Sequence, residues 1–66
     1  MRIIRLKDVM DLTGLARSTI YKYIAAKTFP IPLSLGDRSV GWVESEVHGW
    51  ILERIEARDR ALGLIL

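Results

Sequence analysis

The chain has no cysteine, one histidine, one phenylalanine and two prolines among its 66 residues. Without cysteine there is no disulfide framework and no thiolate metal site. That fits a reducing compartment, and the cytoplasm is the expected location. The single histidine, His48, has no second histidine or thiolate to complete a metal site. Long apolar runs are missing too. None approaches the roughly 20 residues that a bilayer-spanning helix needs, and no membrane partner is expected. Met1-Arg2-Ile3-Ile4-Arg5 is too short and too often charged for a signal peptide. Repeats, low-complexity tracts and linkers are also lacking, so residues 1–66 read as a single domain. Nor is there a catalytic constellation. His48 has no nucleophile beside it, and Glu44, Glu46 and Glu53 read as solvated residues on a polar helix face. No glycine loop cradles phosphate, because Gly36 and Gly41 are accounted for by a hairpin. No cofactor, no metal and no enzymatic activity are expected.

What is present is a small apolar core and an uneven charge. Half of the residues are hydrophobic, enough for a compact core in a chain that buries only about 60% of its unfolded surface. The net charge of +2 decides little, but its distribution says more. Residues 1–42 hold seven Lys/Arg against three Asp, and residues 43–66 hold three Arg against five Asp/Glu. A one-sided basic field favours approach to a polyanion.

The most informative stretch runs from Leu6 to Ile24. Leu6, Val9 and Met10 lie three and four apart, on one face of a first helix from about Lys7 to Thr13. Asp8 near its start complements the helix dipole. Gly14 breaks the pattern where a turn between crossing helices needs positive φ. Leu15, Ile20 and Ile24 then resume a buried stripe on a second helix, from about Arg17 to Ala26. Ala16 stands at its cap, where Ser, Thr or Asp would serve better, and Ser18 and Thr19 are expected to compensate in part. Two short helices joined by a tight turn form the layout of a helix-turn-helix over residues 6–27.

Arg2-Ile3-Ile4-Arg5-Leu6 is β-branched and reads as a short strand at a sheet edge. Phe29-Pro30-Ile31-Pro32 ends the helical region in extended chain. Leu33-Ser34-Leu35 and Val40-Gly41-Trp42-Val43 flank the turn residues Gly36-Asp37-Arg38-Ser39, a β-hairpin over about 33–43 that would serve as a wing. A third helix is expected over 44–60, with Val47, Trp50, Ile51 and Ile55 as its apolar stripe. The fold class is therefore mainly α with a small β-hairpin, a winged helix-turn-helix with three helices. The tail 61–66 is apolar. Helix 3 with Leu62, Leu64 and Ile65 is a candidate contact between copies of the chain.

Arg17, Ser18, Tyr21 and Lys22 form the outward face of the second helix. Cationic and hydrogen-bonding side chains there suit phosphates and base edges, and an arginine can fork onto guanine. Tyr21 reads either as a contact to sugar or phosphate or as packing at the core edge. Thr19 reads either as a phosphate donor or as a bond to the helix terminus. Arg38 and Ser39 stand at the wing tip, within reach of a phosphate or a narrow minor groove. Trp42, Trp50 and Tyr23 are assigned to packing, because each ring is large against so small a core. The expected partner is double-stranded DNA.

Four segments resemble the AlpA family of small phage and prophage transcriptional regulators, whose wider relatives are excisionases and MerR-type DNA-binding domains. They are Thr13-Gly14-Leu15-Ala16-Arg17-Ser18-Thr19-Ile20-Tyr21, Phe29-Pro30-Ile31-Pro32 with Leu35-Gly36, Arg38-Ser39-Val40-Gly41-Trp42, and Ser45-Glu46-Val47-His48-Gly49-Trp50-Ile51. The resemblance covers roughly residues 3–55. It implies a winged helix-turn-helix with the second helix in the major groove and the wing near the backbone or minor groove. It also implies a regulator of phage or prophage genes, acting on an integrase or excision promoter. Relatives commonly carry Ser where this chain has Ala16. No small-molecule effector is expected, because nothing follows helix 3 that could sense one. Two other functions fit the same scaffold: an excisionase-type architectural protein that bends DNA for a recombinase, and a protein-interaction adaptor.

Overall fold

The computed structural model describes residues 1–63. Leu64 and Ile65, assigned above to a contact between copies, lie outside the described residues. In chain order the elements are β1 (Ile3–Ile4), α1 (Leu6–Thr13), α2 (Arg17–Ala25), β2 (Leu33–Gly36), β3 (Ser39–Val43) and α3 (Glu44–Ala61). The strands form one antiparallel sheet in the order β1-β3-β2, so the amino-terminal strand is at an edge as expected. This is the winged helix-turn-helix architecture that the sequence pattern predicts, mainly helical with a small sheet.

Local chemistry sets the helix ends. The Arg5 N–H donates to Asp8 Oδ2 (3.1 Å), so the carboxylate caps α1 and sits at the positive end of its dipole. At the other end the Gly14 N–H donates to Met10 O (2.8 Å). Gly14 has φ 72°, a conformation that glycine enters without strain. The Thr13 hydroxyl donates to Val9 O (2.7 Å) and accepts from the Leu15 N–H (3.2 Å), which fixes the turn into α2. α2 starts at Ala16 with no side-chain cap. The compensation expected of Ser18 and Thr19 is not made: neither side chain forms a hydrogen bond among the described residues. The first turn offers N–H donors, and neither hydroxyl stands at the cap position from which a side-chain oxygen accepts from them.

α2 stops at Ala25, with Ala26 as its cap. The Lys27 N–H donates to Ile24 O (3.0 Å) and the Thr28 N–H to Tyr23 O (2.9 Å). These paired bonds close the helix in the way a glycine usually does. Here Lys27 takes the left-handed position, with φ 60°. Two indoles then hold the extended segment that follows. The Trp50 N–H donates to Thr28 O (2.7 Å) and the Trp42 N–H to Pro30 O (3.1 Å).

The core consists of Ile4, Val9, Ile20, Phe29, Trp42 and Val47. Each strand and helix except β2 contributes one of these, and Phe29 comes from the α2–β2 connection. β2 is exposed along its length, so the hairpin stands out from the body as a wing. Trp42 is 0% exposed, as its assignment to packing requires. Trp50 is only half-buried, with its ring against Phe29 at 4.8 Å. Gly41 is needed for close approach: a β-carbon there would lie 2.6 Å from Ile3 Cγ2 and 3.0 Å from Leu35 Cδ1. One part of the expected helix 3 stripe is corrected. Val47 is buried and Trp50 and Ile51 half-buried, but Ile55 is 39% exposed. The helix is about 27 Å long at 1.5 Å per residue, and its second half extends past the elements that would cover it.

Candidate nucleic-acid interface

Arg17, Ser18, Tyr21 and Lys22 are exposed together on α2. One turn of helix separates Arg17 from Tyr21 and Ser18 from Lys22, so the four share a face. Ile20 on the opposite face is fully buried, and this anchors the helix with that face outward. Thr19 lies between the two faces and is half-buried. Of its two readings, a bond to the helix terminus is not made. The Arg17 guanidinium carbon is 6.0 Å from the centre of the Tyr21 ring. The same ring meets Trp42 at 6.5 Å between centroids, inclined at 64°.

The wing tip is separate from this cluster. Arg38 occupies the turn between β2 and β3, exposed and with φ 57°. Ser39 is half-buried, and its hydroxyl lies 3.5 Å from Asp37 O, so it is turned into the hairpin. From Trp42 to Arg38 the strand runs about 13 Å at 3.3 Å per residue.

The electrostatics of this face are unbalanced. Among the described residues the ion pairs are Arg2–Glu44 (3.0 Å), Arg58–Asp59 (2.9 Å) and Arg60–Glu56 (3.8 Å). All three involve α3. Among the described residues Arg17, Lys22 and Arg38 have no acidic partner, and neither do Arg5, Lys7, Lys27 and Arg54. No acidic residue lies in α2. Arg17 also opens its helix, where the macrodipole is positive and a cation is disfavoured by about 0.3–1 kcal/mol. The backbone N–H groups of Arg17, Ser18 and Thr19 precede the first intrahelical bond, from the Ile20 N–H to Ala16 O (3.1 Å). They are orphan donors of a helix start. An uncapped end, free N–H groups and an added cation together make a site of positive potential that costs stability and suits an anion.

Two features of the site left no trace in the sequence. One is the left-handed backbone of Arg38, because neither Arg38 nor its neighbour Ser39 is a residue that favours it. The other is the cluster of Arg17, Tyr21 and Trp42. Spacing i, i+4 hints at its first contact, but the second joins residues 21 positions apart.

No group of three or more His, Cys, Asp or Glu that could hold a metal ion occurs among the described residues. No described helix is long and apolar enough to cross a membrane.

Fold and surface together define a winged helix-turn-helix protein whose outward helix face is cationic and unpaired. Residues 2–55 match the family model described as "Prophage CP4-57 regulatory protein (AlpA)", and the chain belongs to that family. It is 43% identical over 60 residues to the "DNA-binding transcriptional activator AlpA" of Escherichia coli strain K12, covering 82% of this chain and 86% of that protein. It is 48% identical over 59 residues to the "Uncharacterized protein ORF88" of Enterobacteria phage P4, covering 89% of this chain and 67% of that protein.

Proposed function

We propose that the chain is a sequence-specific DNA-binding transcriptional regulator of phage or prophage genes, acting on an integrase or excision promoter. One observation carries the proposal: the N-terminal end of α2 is uncapped, free of acidic residues and cationic, on a helix anchored from behind by buried Ile20. Phosphates meet the orphan N–H groups and the side chains of Ser18, Thr19 and Lys22. Arg17 forks onto a guanine in the major groove, the commonest specific contact of its kind. Arg38 and Ser39 at the wing tip reach the backbone or minor groove beside it. The protein supplies position and hydrogen bonds and does no chemistry. Its workplace is the cytoplasm, with the DNA it reads.

A second observation favours self-association on DNA. Leu52 and Ile55 on α3 and Leu62 at its C-terminal cap are exposed. Ile55 also lines a groove of about 310 Å³ with Leu12, Trp50 and Ile51. One helix and one wing give few contacts, on the order of four to six phosphates, and a second copy held through α3 multiplies them. Selection of genomic fragments by the purified chain tests the main reading. A reproducible motif is expected, with Arg17→Ala and Lys22→Ala each weakening binding to it while the melting temperature barely shifts. Unchanged affinity in both variants removes the contact assignment, and the absence of any motif favours a protein-interaction adaptor.

A further inference from the structure

We infer that Tyr21 is a positioning residue for Arg17 and not itself a DNA ligand; this rests on the DNA-binding reading above. The ring has two neighbours: the inclined Trp42 indole, 6.5 Å between centroids, and the Arg17 guanidinium. Trp42 is 0% exposed and its N–H is bonded to Pro30 O at 3.1 Å, so the indole is fixed. The Arg17 guanidinium carbon is 6.0 Å from the Tyr21 ring centre, at the outer range of a cation–π contact. The Tyr21 hydroxyl makes no hydrogen bond among the described residues, so the contacts that fix the side chain are those of its ring.

An arginine at an exposed helix start samples many rotamers, and ordering it on DNA costs side-chain entropy. Contact with a fixed aromatic face removes part of that cost beforehand, which is how preorganisation raises affinity. A guanidinium drawn towards an aromatic ring keeps its donor fork free for a base or phosphate. Trp42 also belongs to β3, the strand that leads from the wing tip. The same indole therefore locates both the reading arginine and the base of the wing, and Tyr21 joins the two.

The test is a double-mutant cycle measured by fluorescence anisotropy, on a duplex selected from a random library by the wild-type chain. Tyr21→Phe keeps the ring and removes only the hydroxyl, and is expected to bind as wild type does. Tyr21→Leu keeps apolar packing against Trp42 but removes the aromatic face, and is expected to bind about two- to fivefold more weakly. In the Arg17→Ala background, Tyr21→Leu is expected to cost nothing further. Thermal melts of each variant check that the fold is retained, and Tyr21→Met, apolar and flexible but without an aromatic face, carries the test if Tyr21→Leu does not fold. Equal losses for Tyr21→Phe and Tyr21→Leu would show the hydroxyl touching DNA, and additive losses in the cycle would show Tyr21 acting without Arg17. Either result overturns the inference while DNA binding stands. A wild-type chain that selects no duplex overturns both.

Discussion

Replacing Arg38 by glycine is expected to make the protein more stable and a weaker binder. Arg38 has φ 57°, a left-handed conformation that costs an L residue about 1–2 kcal/mol. Glycine removes that cost but gives back about 0.5–1 kcal/mol through the freer unfolded chain. The side chain is exposed and forms no ion pair among the described residues, so no folded-state contact is lost. The net gain is about 0.5–1 kcal/mol. At 4–8 °C per kcal/mol for a domain of this size, the melting temperature rises by about 2–8 °C. Binding moves the other way, because one phosphate contact disappears. The slope of log K against log salt becomes shallower by about 0.9, the value of one neutralised phosphate. Arg38→Asn separates the two effects. Asparagine tolerates the left-handed region and carries no charge, so it loses the same contact and gains less stability. Circular-dichroism melts and anisotropy titrations between 50 and 200 mM salt read both quantities. A lowered melting temperature would refute the strain argument, and an unchanged salt slope would refute the wing contact.

Lys27 provides the matching case away from the wing. It holds the left-handed position that closes α2, with φ 60°, and Lys27→Gly is expected to raise the melting temperature by a similar 2–8 °C. A fall on calorimetry would contradict that. Gly41→Ala is expected to destabilise by about 1–3 kcal/mol, because the added methyl meets Ile3 and Leu35 within 3.0 Å. Urea unfolding measures it, and a neutral result would show that the sheet opens at no cost.

Most of the fold was legible because its signals are local. Val9 and Ile20 recur with helical period, Gly14 stands where the turn needs it, and Pro30 and Pro32 mark the extended segment. The turn residues 36–39 placed the hairpin, and the edge strand was visible in Ile3-Ile4. Features that depend on distant neighbours were not legible. Ile55 continues the apolar period of α3, yet nothing in the periodicity tells where the covering elements stop. Trp50 was assigned to packing from its size, but its half-burial depends on where Thr28 brings a carbonyl. The compensation expected of Ser18 and Thr19 fails because the orphan groups are N–H donors, and only a side-chain oxygen at the cap position, where Ala16 stands, is placed to accept from them. The face of the site was readable from helical spacing alone. Its internal order, with Tyr21 between Arg17 and Trp42, was not, because it depends on how β3 packs against α2.

The central claim is that Lys22 of α2 and Arg38 of the wing tip meet the phosphates of a duplex while Arg17 reads a base. The most direct measurement is the salt dependence of binding to a selected duplex. At about 0.9 per phosphate, four to six contacts give a slope of about −4 to −5 in log K against log salt. A steep slope near that value, reduced by roughly one unit in Lys22→Ala, is the predicted result. A flat response, or binding that ignores the loss of Lys22, would contradict the account.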